Sequence, residues 1–413
     1  MTRRVRIAAT ASGLGLAALI ALPLLAQDDG GLRLTFGLSA RVDATSNPGL
    51  TVPRGPAKNS LSTRLNFGLT DATRAGAVSL AAAGTLSTNT GDGSAIGLVD
   101  PDLRFSLRRD AATTSLELLA FLRQSDLDTL RGLILDPGTG AVIGDVVGDG
   151  TQRQTGGAVT YTFGKGGPWG GTLSAALTDT TYSGTTTEVD NRRSEVGGTL
   201  RFALDPATMV TAGLRWSLYD ADGSTSRDTL RPELGLRRDL PAGFASVSLF
   251  AEDTEDGTRT GLSFGRSWQF PDGSLSVNLG ASRSVTGDFS ATGAVDWRKE
   301  LARSTLNLSL RRDIAAGSND AETLVTTASF GLVRAISPLS SVNFGLEASE
   351  SAETATNLVT RNAALSVTFS QNLQQDWVLD AGITHRLRDE SGPGQATSDT
   401  AFLELRRNFE LRP

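Results

Sequence analysis

The stretch VDWRKELARSTLNLSL, residues 295–310, decides the fold. Its centre, WRKELARS, is built largely from good helix formers. Its flanks alternate instead. Val295 and Trp297 continue the phase of Ala291 and Gly293, and Leu306, Leu308 and Leu310 open a new alternation. The segment is therefore either an amphipathic helix or two strands joined by a charged turn, and the rest of the chain chooses between them.

Alternation with a period of two recurs from residue 32 to the C-terminus. Leu32, Leu34, Phe36 and Leu38 alternate with Arg33, Thr35, Gly37 and Ser39; Val342, Phe344, Leu346 and Ala348 alternate with Asn343, Gly345 and Glu347. Successive side chains of a strand point to opposite faces, so each segment has one apolar and one polar face. Two kinds of connection separate these segments. Tight turns fall at Asp71-Ala-Thr, Asp110-Ala-Ala, Lys165-Gly-Gly-Pro, Asp205-Pro-Ala, Asp239-Leu-Pro-Ala-Gly, Pro271-Asp-Gly, Glu300-Leu-Ala, Ser337-Pro-Leu and Asn372-Leu-Gln-Gln, where Asp, Pro and Gly supply turn geometry. Between them lie longer polar segments at 43–59, 87–101, 124–153, 183–192, 220–228, 253–259, 284–288, 314–321, 350–358 and 389–398. Such a series predicts an all-β chain of about 20 antiparallel strands, in the range of roughly 18–22, with both termini on the side of the tight turns. In this frame RKELAR is one tight turn among nine, just beyond an outward Trp.

The N-terminus reads separately. Arg3, Arg4 and Arg6 precede a mostly apolar run from Ile7 to Ala26, and Gln27-Asp28-Asp29 follows. This is the layout of a cleaved signal peptide over residues 1–26, leaving 27–413 as one barrel domain. Without the three leader arginines, the mature chain has 36 basic and 45 acidic residues (39 − 3 against 45), a net charge of −9, which speaks against nucleic acid as a partner. The absence of cysteine excludes a lipoprotein anchor, disulfides and thiolate metal sites. After the leader no apolar run approaches the ~18 residues of a membrane helix.

The two-faced pattern continues for most of the chain without a linker or a change in composition. That suits a large closed transmembrane barrel, up-and-down and antiparallel, with lipid outside and water inside. Phe67, Phe105, Phe163, Trp169, Phe202, Phe264, Trp268, Trp297, Phe369 and Trp377 all lie close to a tight turn, as an aromatic girdle at one membrane interface would. Taken together, the leader, the alternating strands, the two classes of connection and the final strand AFLELRRNFELRP resemble outer-membrane β-barrel proteins of the porin-like kind. Among these the chain looks most like porin-like barrels of Gram-negative bacteria, some of which accompany exopolysaccharide systems. In the last strand Leu403, Leu405 and Phe409 resemble the C-terminal assembly signal of such barrels; Phe409 is followed by four more residues, and Arg407 interrupts the apolar face. The resemblance implies export to the outer membrane, contact with its lipid and lipopolysaccharide, and the secretion and barrel-assembly machinery as partners.

The phase rule assigns Arg64, Arg104, Arg108, Arg201, Arg215, Arg231, Arg237, Arg311 and Arg386 to the lumen, together with Glu117, Glu233, Asp296, Glu347, Asp380 and Glu404. These either set the selectivity of a pore or pair with one another and stiffen the wall, and the two roles overlap. The third long segment, 124–153, carries apolar residues between Asp126, Asp128, Asp136, Asp145 and Asp149. In classical porins, which the chain resembles, the third loop folds inward and narrows the pore; the alternative is a hairpin extending the barrel at its surface. The single histidine, His385, shares its phase with Leu379, Ala381 and Ile383 and is expected to face outward near the outer rim, so no enzyme is expected. The Asp-Gly clusters lack a complete calcium loop, and no glycine pattern opens a helix, so no metal or cofactor is implied. The functional expectation is a channel for small hydrophilic solutes. The alternatives are an exopolysaccharide export barrel and a non-conducting structural barrel. A TonB-dependent receptor is not expected, since no separate plug domain precedes the first strand.

Overall fold

The computed structural model describes residues 31–412 except 90–96, 128–132, 136–141, 146–149, 186–187, 317–321, 354–357, 374–375 and 393. The expected signal peptide therefore lies outside the described residues. The strands, in chain order, are β1 Gly31–Thr45, β2 Lys58–Thr73, β3 Gly76–Asn89, β4 Gly97–Asp110, β5 Thr114–Asp126, β6 Leu133–Leu135, β7 Val142–Asp145, β8 Thr151–Phe163, β9 Trp169–Ser183, β10 Asn191–Asp205 and β11 Thr208–Ala221. They continue with β12 Arg227–Leu240, β13 Gly243–Thr254, β14 Gly257–Phe270, β15 Gly273–Arg283, β16 Phe289–Leu301, β17 Ser304–Ala316, β18 Glu322–Ser337, β19 Ser340–Glu353, β20 Val359–Asn372, β21 Trp377–Glu390 and β22 Gly394–Leu411.

Twenty of these strands make one sheet, and β6 and β7 make a separate hairpin. Each wall strand pairs antiparallel with the next, β5 reaching β8 across the hairpin. The sheet then closes on itself: β1 pairs with β22 from Leu34↔Leu411 to Thr45↔Thr400. The result is a closed, up-and-down, 20-stranded barrel.

Directly opposed residues share a face, so the apolar phase can be followed around the wall. Phe36 faces Phe67, Phe67 faces Ala82, and Ala82 faces Leu103. The path returns through Phe409, which opposes Phe36. Leu173, Val196, Phe264, Leu279, Ile383 and Leu403 lie on this face and are exposed, whereas Ser39, Gln152, Thr180, Ser282, Asp380 and Ser398 lie on the other and are buried. A concave surface crowds its side chains, so the polar face is the inside. The apolar outside is the surface such a barrel offers to lipid.

The charged stretch at 295–310 is a hairpin. β16 runs to Leu301, β17 starts at Ser304, and Leu301 opposes Ser304. The turn sits at 302–303, slightly later than the RKELAR segment suggests, and helix propensity yields to pairing: Trp297 opposes Leu275 on one side and Leu308 on the other. All nine tight turns occur within a few residues of their expected places, and so do all ten longer connections. Nine of the ten are shorter in fact than in expectation, 389–398 leaving only 391–393 between its strands. The 253–259 segment is a turn of residues 255–256 alone, because Asp253 and Thr258 remain paired strand residues. At the loop end, strands continue in water after their apolar alternation has stopped. The Arg-Arg-Asp triplets of β4 and β12 end their strands at tight turns, and that of β17 lies toward a loop, so the triplet marks no particular side.

Gly76, Gly243 and Gly273 each open a strand directly after a two-residue turn, with φ of 157°, 128° and 157°. A Cβ there would strike the carbonyl of Arg108, Ser267 or Arg298 on the following strand, which is why these turns end in glycine.

Deleting residues 400–411 removes the strand that joins β21 to β1. The expected outcome is loss of the gel-mobility difference between unboiled and boiled samples of refolded protein. A retained difference would mean that the barrel closes without β22.

Candidate functional site: the barrel interior

The register places all fifteen lumen candidates on the inner face. Arg64 opposes Ser39, Arg104 opposes Phe121, Arg108 opposes Glu117, and Arg201 opposes Gly170. Arg215 opposes Arg231, Glu233 opposes Phe250, and Arg237 opposes Ser246. Asp296 opposes Ser309, Arg311 opposes Thr327, and Glu347 opposes Ser329. Asp380 opposes Glu404, and Arg386 opposes Ser398.

Most of these charges are held along the wall. Arg108 lies 2.6 Å from Asp110 and 3.6 Å from Glu117, and Lys165 reaches the same Asp110 at 2.8 Å. Arg215 pairs with Glu195 at 3.0 Å, Arg237 with Asp239 at 2.9 Å, and Arg231 with Glu252 at 3.1 Å. Arg259 also pairs with Glu252, and its Nη1 donates to the Ile314 carbonyl at 2.9 Å, bridging β14 to β17 across two intervening strands. Near the seam, Arg406 pairs with Asp380 at 3.0 Å and Arg41 with Glu404 at 3.7 Å. The half-exposed pairs among them, such as Arg108–Asp110 and Arg237–Asp239, contribute at most about 1 kcal/mol each, whereas Arg259–Glu252 is buried. Their main effect is to fix where the charges sit. Among the described lumen candidates, Arg64 and Arg201 bond only to Asn66 and to the Gly164 carbonyl, and Arg104, Arg311 and Arg386 have no polar partner at all.

Three phenylalanine rings on the inner face follow a second rule. Phe121 lies over Gly156, Phe250 over Gly261 and Phe402 over Gly382, each directly opposite on the neighbouring strand. Glycine opens the space in which the ring lies flat against the wall. Arginines then cover two of these rings: Arg231 at 3.9 Å over Phe250 and Arg41 at 4.0 Å over Phe402. Sequence periodicity does not reveal these layers, because each is a cross-strand pair, visible only once the register is known.

The β6–β7 hairpin is the one described element outside the wall. It belongs to the segment 127–150, between β5 and β8, which stand fifth and sixth in the wall. Cα atoms of β7 come within 8 Å of β17. Since β17 is fifteenth in the wall, the hairpin reaches the opposite side. A 20-stranded barrel is about 40 Å across. At its root Leu127 is fully buried, and the inner-face residues Gln152, Gln154 and Thr180 are buried beside it. Asp128, Asp136 and Asp149 lie outside the described residues, and Asp145 ends β7. Asp126 does not share the inner phase: it ends β5 in step with Leu118 and Leu122, opposite Thr151.

The ten girdle aromatics share the outer face, as Phe202↔Trp169 and Trp297↔Leu275 illustrate, and Phe163 packs edge-on against Trp169 at 6.0 Å. Leu403, Leu405 and Phe409 are on the same face, and β22 is the strand that closes the barrel. His385 is there too, near the loop end, with its Nδ1 2.7 Å from Asp399.

Solved structures share this architecture. Its fold is that of outer-membrane β-barrels. The siderophore receptor PirA from Pseudomonas aeruginosa matches 93% of the chain over 81% of its own length, with a TM-score of 0.51 and 12% identity. The ferric enterobactin receptor PfeA in complex with BCV-L6 matches 93% of the chain over 82% of its own length, with a TM-score of 0.51 and 10% identity. The outer membrane protein OpdK from Pseudomonas aeruginosa matches more loosely, at a TM-score of 0.43 and 10% identity over 92% of this chain and 99% of that one. No protein-family model matches the chain, and no curated protein matches it.

Replacing Gly382 with Leu forces Phe402 off the wall. The expected cost is about 1–3 kcal/mol of stability, read as an earlier urea midpoint in micelles. Adding Phe402→Ala should recover much of it; no recovery would mean that the ring does not depend on the glycine.

Proposed function

We propose that this barrel is an outer-membrane channel for small hydrophilic solutes, with its tight turns in the periplasm and its long loops outside the cell. The observation that carries the reading is the β6–β7 hairpin, whose β7 Cα atoms lie within 8 Å of β17 on the far side of the wall from β5 and β8; we read it as a constriction that narrows the bore. The inner wall supports it. Between β14 and β20 that wall is lined by short polar side chains, among them Ser267, Ser276, Asn307, Ser329, Asn343 and Ser366, around a cavity of about 660 Å³. Asp296 and Glu347 are the carboxylates on this patch, and Arg298 lies at its tight-turn edge. Such a surface suits hydrated solutes and offers no enclosed apolar pocket.

In this reading the fifteen inner-face charges set the field along the path, and the hairpin with its acids is the constriction. The arginines without partners, Arg104, Arg311 and Arg386, contribute most to that field; Arg311 stands on the strand that the hairpin reaches. His385, on the outer face, has no part in transport.

Purified protein in planar bilayers is expected to give stepwise conductance, and deletion of residues 130–148 is expected to raise the size of the step. Silence from inserted protein would overturn the channel reading in favour of a structural barrel. An unchanged step after the deletion would show that the hairpin does not limit flow.

A further inference from the structure

The outer face carries charges that lipid does not accommodate without partners, and they are unevenly placed. At the tight-turn end, the outward phase holds Arg109, Arg238, Arg266, Lys299, Arg334 and Arg407. Among the described strand residues at that end, the acids on the same face are Asp71 and, at the last position of β10, Asp205. At the loop end the outward charges are mixed, and acids such as Asp179, Asp220, Asp253 and Asp389 are prominent among them. The basic belt lies within four residues of the strand ends, at the depth of the aromatic girdle.

Two of the six form a specific arrangement. Arg238 opposes Ala245, and Ala245 opposes Arg266, so the three stand in one row across β12, β13 and β14. The arginine Cα atoms are thus two strand spacings apart, roughly 10 Å. Between them β13 presents only Ala245 and Gly243, the latter opposite Trp268. The floor of the slot is small side chains, its sides are two guanidinium groups, and Trp268 stands at its turn-side edge. The Arg266 guanidinium lies 5.1 Å from the Trp268 ring, and its Nη1 is buried with no hydrogen-bond acceptor. Among the described residues neither arginine forms a close ion pair, although the Asp205 carboxylate interacts electrostatically with Arg238. Asp205, across Thr208 from Arg238, accepts the Ala207 N–H at 2.7 Å. Lys299 is already paired, 2.9 Å from Asp272, whose carboxyl it holds below its usual range.

We propose that the row Arg238–Ala245–Arg266, with Trp268 beside it, is a seat for the phosphodiester of an anionic glycerophospholipid on the periplasmic side of the membrane. Two guanidinium forks separated by small residues can converge on one phosphate, each through paired N–H donors. The acyl chains would then lie along the outward leucines of β12 to β14, including Leu234, Leu236 and Phe264. The girdle depth and the sign of the belt select a lipid of the leaflet nearest the tight turns. The proposal rests on the outer-membrane reading given above.

The test uses the full mature chain, folded in micelles and analysed by native mass spectrometry with phosphatidylglycerol or phosphatidylcholine added. Retention of phosphatidylglycerol is expected to exceed that of phosphatidylcholine. It is expected to fall about tenfold in the double variant Arg238→Gln/Arg266→Gln, the loss of roughly one charge-assisted contact. Arg192→Gln, at the other end of the outer face and paired with Asp179, is expected to leave it unchanged. Should the double variant fail to fold, Arg266→Lys keeps the charge, loses the fork and is expected to weaken retention. Equal retention of the two lipids, or no loss in the variants, overturns the proposal. Displacement by excess inorganic phosphate overturns the lipid assignment, as does a preference for lipid A. A chain that does not enter vesicles of any composition overturns the membrane reading, and the seat with it; an inserted chain without lipid preference overturns the seat alone.

Discussion

In a hydrocarbon medium every peptide N–H and C=O must find a partner within the protein, at a cost of several kcal/mol for each group left alone. A sheet meets that demand only if it has no edge. In this protein the seam between β1 and β22 removes the last edge, with pairs running from Leu34↔Leu411 to Thr45↔Thr400. Other features of the wall follow from that closure. Once the ring is complete, each strand has a fixed inner and outer face. A period-two sequence then sorts most of its Leu and Val outward and most of its Ser and Glu inward, with the phase held around 20 strands.

That sorting is why so much of the architecture is legible in the sequence. Turn chemistry marks the tight-turn end sharply, because Asp, Pro and Gly are needed there for backbone reasons; Gly243 and Gly273 sit where a Cβ would meet a carbonyl. The loop end is less legible. Apolar alternation stops where lipid stops, whereas pairing continues into water, so Asp253 and Thr258 are strand residues that read as loop. Asp126 misleads for a related reason: an acid near a long loop suggests the lumen, and its register sets it on the outward phase.

Distances across the barrel lie beyond the reach of periodicity. Alternation assigns a residue to a face and says nothing about which strands stand opposite one another. The approach of β7 to β17, and the reach of Arg259 to Ile314, depend on strand order and curvature. The Gly–Phe–Arg layers are similar. Each residue is unremarked in its own strand, and the layer exists because Phe250 falls opposite Gly261 and Phe402 opposite Gly382.

Those layers have a consequence for any dissolved ion inside the wall. Arginines laid flat on rings, or tied to carboxylates on adjacent strands, keep their charge close to the surface of a ring about 40 Å across. At physiological ionic strength a charge is felt over only about 8 Å. Along most of the barrel the axis is therefore nearly field-free, and wall charges act on a thin peripheral sleeve of solvent. Under the channel reading proposed above, a hairpin that reaches β17 does more than reduce the bore: it brings the solution within electrostatic range of the wall, so that the same arginines have far more influence at its level than a few turns of pleat away.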